Sequence, residues 1–256
     1  MELFYYDSNN LRKAVSFTSV LISKTEFEQF NGARKYVMSE CFNAFDEDMF
    51  KLNPKEDTQV IGYLQSWVYF QDYETDIRRE FTFKENVISR ARKLLLSAAQ
   101  PFSKSRSVET LMFIGVHVRR GDTVEPRQIQ YGYVHPPVTY YYKAMDYFLK
   151  LSNGKSNVLF VYCSDDINWV RKTMENVTEK YNMAFMEGNS GVVDLAILSL
   201  CNHTIISTGT FGWWAAFLAG GETVYYPYVA REGSGLRSRY SDDLEDFWLP
   251  GWISME

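Results

Sequence analysis

The chain reads as an α/β protein: a Rossmann-type, parallel-sheet second half preceded by a partial, helix-rich N-terminal part. Three observations lead there. From residue 111 onward, short apolar runs alternate with stretches of helical periodicity, the rhythm of a parallel sheet with covering helices. The runs are apolar throughout rather than apolar at every second residue, as strands buried on both faces are. Small polar and charged clusters fall where three of the runs end, and ligands of open α/β sheets gather outside the carboxyl ends of the strands.

Taken in order, residues 1–105 form the expected first domain. Apolar and aromatic residues recur at roughly helical spacing over 24–50, with Asp46-Glu47-Asp48 as a solvated face. Asn53-Pro54 breaks that pattern. Residues 60–67 read as a short strand running into an aromatic turn. There Gln65, Ser66, Trp67 and Tyr69 either line a cleft or make a structural corner. Residues 74–100 read as one amphipathic helix ending near Pro101. The polar stretch 103–109 reads as a linker, and 106–256 as the second domain.

In that second domain strands are expected at 111–118, 157–163, 183–186, 204–207 and 223–226. Helices are expected at 138–151, 167–181, 192–200 and 211–219. Asp165 or Asp166 is placed to cap the second helix and Thr210 the last. Gly212 allows close approach of helix to sheet, and Trp213-Trp214 reads as core. Neither GxGxxG nor GxxxxGK[ST] follows the first strand, which disfavours a nicotinamide dehydrogenase and a P-loop phosphotransferase.

Composition narrows the function. Acidic residues outnumber basic ones, 32 to 27, so no cationic surplus exists to neutralise a nucleic-acid backbone. Cys41, Cys163 and Cys201 form neither a disulfide framework nor a metal spacing, and the last two read as buried thiols. The three histidines, His117, His135 and His203, fit no zinc motif, so no metal is expected. No apolar segment is long enough for a signal peptide or membrane anchor, so the chain is expected to be soluble as it stands. Asn176-Val-Thr178 and Asn202-His-Thr204 are glycosylation sequons, the second weakened by its place before a buried strand.

Three strand ends carry the chemistry. The first is His117-Val-Arg119-Arg120-Gly121-Asp122, the second Ser164-Asp165-Asp166, the third Ser207-Thr208-Gly209-Thr210-Phe211. In a parallel sheet these ends share one side. Two arginines beside a glycine suit an anion, which Arg119 can grip in a bidentate manner. Backbone N–H groups and hydroxyls of Ser207, Thr208 and Thr210 at a helix start suit phosphate oxygens. Asp165 or Asp166 can accept from a ribose diol or a guanine edge, with helix capping as the plainer role for one of the two.

The motifs Gly115-Val-His-Val-Arg-Arg-Gly-Asp122, Asp194-Leu-Ala-Ile-Leu198, Cys201-Asn-His-Thr204, Ser207-Thr-Gly-Thr-Phe-Gly-Trp-Trp-Ala-Ala216 and Gly220-Gly221 resemble the donor-site motifs of the α-1,2-fucosyltransferases, glycosyltransferase family 11. Gly62-Tyr-Leu-Gln-Ser-Trp67, Ile77-Arg78 and Phe81 are similar to the region ahead of them. The resemblance covers roughly residues 60 to 230. It implies a GT-B-like fold and inverting, metal-independent hexosyl transfer from GDP-fucose to a galactose-terminated glycan. It further implies that no cofactor is needed and that such a protein works in the Golgi, held there by an anchor not present in this chain. It gives Arg119 and His117 catalytic roles, with Arg119 neutralising the leaving β-phosphate and His117 contacting the diphosphate or its arginine partner; Asp122 joins them as a catalytic candidate on proximity alone. Arg120, Asp165, Asp166, Ser207, Thr208, Thr210 and Phe211 would bind the donor. Asp122 and Glu125 are candidates for the general base, and Asp194 for a donor contact or a helix N-terminal charge. The family's Gly-x-Gly-Asn-Gln-Met-type loop does not occur here, so the first domain is expected to be partial. A second reading therefore stays open: a GDP-sugar or glycan-binding relative or truncated isoform that does not catalyse. A third is an α/β domain using another sugar nucleotide.

Overall fold

The computed structural model describes residues 34–37, 43–53, 55–56, 58–61, 63–103, 111–152 and 158–256. It divides into two compact units, 1–82 with 233–250 and 83–232 with 251–256.

In the first unit β1 (Arg34–Val37) pairs in parallel with β2 (Thr58–Ile61). The helix expected over 24–50 is corrected here: residues 34–37, Arg-Lys-Tyr-Val, extend because strand pairing overrides local periodicity, and the rest of that stretch up to 42 lies outside the described residues. A 3₁₀ turn at Glu47–Lys51 is capped by Asp46, and a longer one at Trp67–Tyr73 by Ser66. Ser66 takes the structural role of the two considered: its Oγ also donates to the Asp246 carbonyl at 2.8 Å, and the Trp67 indole donates to the Glu245 carbonyl at 2.9 Å. These bonds stitch the returning segment 233–250 to the front of the chain.

The single helix expected over 74–100 is two helices, α1 (Glu74–Glu80) in the first unit and α2 (Glu85–Ala99) in the second. The Thr82 hydroxyl donates to the Arg79 carbonyl at 2.7 Å and closes α1, and the extended Lys84 precedes α2. Val87, Ala91, Leu95 and Ala99, spaced every four residues, bury one face of α2 in the second unit. By contact, the two units divide between residues 82 and 83. The linker expected at 103–109 lies, apart from Ser103, outside the described residues.

The second unit is a six-stranded, wholly parallel sheet in the order β5-β4-β3-β6-β7-β8. In chain order, β3 (Met112–Val118) is followed by α3 (Pro126–Tyr131), α4 (Val138–Leu151), β4 (Val158–Ser164) and α5 (Ile167–Met174). Then come β5 (Met183–Phe185), α6 (Gly191–Ser199), β6 (His203–Ile206), α7 (Thr210–Ala219), β7 (Thr223–Tyr225) and β8 (Ile253–Ser254). All five expected strands and all four expected helices form, within a few residues. The helix expected over 167–181 stops at Met174 and passes into a 3₁₀ turn at Glu175–Val177. Strand β8 and helix α3 were not anticipated; β8 is two residues long and follows the chain's return from the first unit.

Period-two alternation sorts the core. Ile114, Val116 and Val118 of β3 with Val158, Phe160 and Tyr162 of β4 face α4 and α5, where Tyr140, Tyr141, Ala144, Met145, Phe148, Val170 and Met174 are buried. Leu159, Val161 and Cys163 face the other way, with α2, α6 and Ala215 of α7. Each large side chain fully withdrawn from water contributes roughly 1.5–3 kcal/mol, which is why these two layers fix the sheet. The Tyr140 hydroxyl, buried in the first layer, donates to the Ile206 and Val224 carbonyls at 2.6 and 3.1 Å, which keeps its burial from costing an unpaired polar group.

Gly115 sets how closely α6 approaches β3. A Cβ there would lie 3.0 Å from Leu198 Cδ2 and 3.3 Å from Cys201 Sγ. Gly115→Val is therefore expected to destabilise the fold by about 1–3 kcal/mol through overpacking. A urea-unfolding midpoint equal to that of the wild type would show that the helix–sheet spacing can relax.

Candidate functional site

The site follows from strand register. His117 of β3 pairs with Cys163 of β4 and with Ile206 of β6, so the three strands end level. The chain runs from β3 toward β4 and β5 on one side and resumes at β6 on the other. The boundary between β3 and β6 is thus the topological switch point of the sheet, where its crevice lies. The ladder continues one step beyond β6, the Ser207 N–H donating to the His117 carbonyl at 3.1 Å. Arg119, Asp165 and Ser207 consequently emerge side by side.

At the first strand end the Arg119 N–H donates to Ser207 Oγ at 2.8 Å. Its guanidinium is held by two carboxylates, Nη1 donating to Asp165 and Nη2 to Asp122. Gly121 has φ +30°, and a Cβ there would collide with Asp165 Oδ2 and stand 2.9 Å from Arg119 Nη1, so only glycine fits. Arg120 turns elsewhere. Its N–H donates to Asp165 Oδ1 at 2.8 Å, its Nε to Asp166 Oδ2 at 3.3 Å, and its guanidinium carbon lies 3.8 Å from the Trp169 ring centre.

At the second strand end Ser164 Oγ donates to the Val118 carbonyl at 2.7 Å and accepts from the Asp166 N–H at 3.0 Å. Asp166 Oδ1 accepts from the Trp169 N–H at 3.2 Å, so Asp166 is the cap of α5.

At the third, Ser207 and Thr208 are buried, and Thr208 Oγ1 has no hydrogen-bond partner among the described residues. Gly209, at φ +91°, holds the cap position of α7, with no side chain capping the helix. Thr210, expected as that cap, is instead the first helical residue: the sharp turn needs a left-handed cap residue, which only Gly209 supplies without strain. The first N–H groups of α7 and its dipole therefore face the crevice with a buried hydroxyl beside them.

Beneath lies a polar row. His117 is 5% exposed, and its Nδ1 has no partner among the described residues. A Cβ on Gly212 would lie 2.6 Å from that nitrogen and 3.4 Å from Ile206 Cβ, so the close approach expected of Gly212 is present. The Phe211 ring is 5.0 Å from the imidazole, centre to centre. Burial, reinforced by the nearby Arg119 charge, pushes the His117 pKa down to about 3, so the ring is neutral. In the same unit, burial raises Asp194 to about 6, although the Asn189 amide donates to its Oδ1 at 3.2 Å. Burial also lifts the Tyr141 phenol, which shares a hydrogen bond with Ser207.

All ten residues expected at the site stand at this one mouth. Arg119 is joined to Asp122, Asp165 and Ser207; Arg120 to Asp165 and Asp166; His117 lies against Phe211. Glu125 is exposed at the cap position of α3. Sequence reasoning missed Tyr141, Thr123 and His135 as site residues. Tyr141 sits inside a helical pattern and carries no motif. Among the described residues no group of three or more His, Cys, Asp or Glu is placed to hold a metal ion, and no helix is long and apolar enough to cross a membrane.

A family model described as Glycosyl transferase family 11 matches residues 17–256. Galactoside 2-alpha-L-fucosyltransferase SEC1 of Bos taurus is 32% identical over 217 residues, 83% of this chain and 55% of that protein. Galactoside alpha-(1,2)-fucosyltransferase 2 of Sus scrofa is 33% identical over 218 residues, 84% and 60% respectively. The chain thus spans little more than half the length of the curated relatives it matches. Among solved structures, POFUT1 in complex with GDP is similar with a TM-score of 0.44 at 9% identity, over 85% of this chain and 84% of that one.

The buried polar row predicts a pH dependence. His117 titrates at about 3 in the folded chain against 6.5 ordinarily, so the unfolded chain takes up the proton first as pH falls. Stability from the neutral ring is complete above pH 6.5 and is lost between 6.5 and 3, at up to about 1.4 kcal/mol per pH unit. Asp194, raised from 3.8 to about 6, acts oppositely: stability falls as pH rises through that window. His117→Phe should flatten the acid side of the stability curve, and Asp194→Asn should raise stability above pH 6. Urea midpoints between pH 4 and 8 check both; a wild-type slope retained in His117→Phe would exclude a proton-free His117 as its source.

Proposed function

The chain belongs to glycosyl transferase family 11, and we propose that it is an inverting hexosyltransferase that moves L-fucose from GDP-fucose to a galactose-terminated glycan, in α-1,2 linkage. One observation carries the reading: Arg119, a helix N-terminus and the unpartnered buried hydroxyl of Thr208 converge at the switch point of a parallel sheet, a place fitted for a diphosphate. The names of the relatives supply the sugar and the linkage. A GT-B-like arrangement, action without a metal and residence in the Golgi belong to the same proposal.

In the proposed step an acceptor hydroxyl oxygen bonds to the fucose anomeric carbon as the bond from that carbon to the β-phosphate oxygen breaks. GDP leaves with the electron pair, and the hydroxyl proton passes to a base. Negative charge grows on the β-phosphate, and a preorganised cation there lowers the barrier. Arg119 fills that role. Two anchors, Asp165 and the Ser207 hydroxyl that accepts its N–H, hold it in place before reaction. The N–H groups opening α7, with Ser207, Thr208 and Thr210, take the phosphate oxygens; Phe211 and His117 pack beneath them as a neutral floor. Arg120 and Asp166 shape the nucleoside side against Trp169. Asp122, the most exposed of the three carboxylates at 60%, has the freedom to leave Arg119 and receive the acceptor proton.

Arg119→Ala and Arg119→Lys should each lower kcat/KM for fucosyl transfer to a galactoside by about 10²–10³, since a lysine cannot reproduce the guanidinium fork. Calorimetry with GDP and UDP accompanies the assay. Transfer undiminished in Arg119→Ala would refute the role of Arg119. GDP binding without transfer in the wild type would leave a binding protein, and UDP preferred over GDP would leave another sugar donor.

A further inference from the structure

Thr123 and His135 lie outside every motif above, yet they contact the Arg119-Arg120-Gly121 turn. The buried Thr123 hydroxyl donates to the Arg120 carbonyl, and the same oxygen is 2.9 Å from His135 Nε2. A hydroxyl carries one hydrogen, and a carbonyl can only accept. The hydrogen of Thr123 is therefore spent on Arg120, and His135 must donate from Nε2. That fixes the tautomer: Nε2 carries the proton and Nδ1 does not. His135 is followed by Pro136 and Pro137, and Pro137 holds the cap position of α4, so the ring is mounted on a stiff stretch at a helix start.

From this geometry, and resting on the function proposed above, we infer that His135 is a positioning residue which, through Thr123, locks the Arg120 carbonyl and so aims Arg119 at the diphosphate. The Arg120 peptide is held at both ends. Its N–H is fixed by Asp165 at 2.8 Å and its carbonyl by Thr123. Between Arg120 and Thr123 lie Gly121, at φ +30°, and Asp122, which holds Arg119. Without the relay, the flexible glycine would let the turn relax and Arg119 lose its fixed direction. The charged neighbours act in the same sense. His135 is half-buried, and burial first, then Arg120 and Arg119, lower its pKa, so the ring stays neutral and keeps one free nitrogen.

The test uses the full chain. With only three histidines in the sequence, ¹⁵N-imidazole NMR of the wild type should show His135 protonated at Nε2 and bare at Nδ1, and Thr123→Val should abolish that fixed tautomer. Kinetically, His135→Phe keeps the ring and loses the donor. His135→Gln restores a donor. His135→Phe and Thr123→Val should each lower kcat/KM about tenfold, mostly in kcat, with the double variant no worse than either single one. His135→Gln and Thr123→Ser should recover most of the activity. An Nδ1-protonated or mixed tautomer in the wild type overturns the relay, as do multiplicative losses in the double variant or no loss in His135→Phe. A wild type that shows the fixed tautomer but neither binds GDP nor transfers fucose overturns the proposed function and, with it, the aiming role, while the relay itself stands.

Discussion

Everything at the mouth of this sheet depends on one row of register. His117, Cys163 and Ile206 stand abreast on β3, β4 and β6, so the next residues of three distant segments leave the sheet at the same height. A slip of one residue on any strand would hand each of its side chains to the opposite helix layer and carry its polar tail to the wrong side. The alternating burial of β3 and β4 against two different helix layers forbids that slip. The core thus sets where the strand ends lie, and the bonds among the charged groups of the mouth, partly exposed and individually weak, orient the side chains within that frame.

The same register explains why glycine and neutral histidine recur just below the surface. Residue 117 points to the side where α7 begins, and α7 must start close to the sheet for its N–H groups to reach the crevice. Gly212 provides that clearance, since a methyl group would meet His117 Nδ1. The result is a polar ring under a helix start whose Nδ1 has no partner among the described residues. A positive imidazole there would be desolvated, next to Arg119 and next to the positive end of a helix dipole. All three effects favour the neutral form.

How much was legible in the sequence follows from where each signal lives. The strands of the second unit are largely apolar runs, and α4 was readable because its helical pattern holds over 138–151. The site residues were legible because strand ends in a parallel sheet must cluster, whatever the details. What failed was set by partners far along the chain. Residues 34–37 are strand only because 58–61 lie beside them. The 74–100 stretch breaks where its halves pass into different units, and only α2 buries a face. The His135–Thr123 contact spans twelve residues, helix α3 among them, with no spacing rule behind it.

The arginine doublet shows how far a motif can be read without its backbone. In sequence Arg119 and Arg120 look like a pair of equal anion grips. On a strand leaving a sheet, neighbouring residues point to opposite sides, so they cannot act alike. Arg119 continues the side of His117 and lies along Gly209 at the start of α7, its Cγ 3.9 Å from where a Cβ would stand on that glycine. Arg120 goes to the side of α5, where it lies over Trp169 and joins Asp166, the residue that caps that helix. Asp165 is the hinge between them, one oxygen on the Arg119 guanidinium and the other on the Arg120 N–H. A lysine at 120 would lose both the stack and the Nε contact, and a lysine at 119 would lose the fork toward two carboxylates. The doublet is therefore two devices with one shared carboxylate: Arg120 ties the turn to the second helix layer, and that fixed turn gives Arg119 its direction.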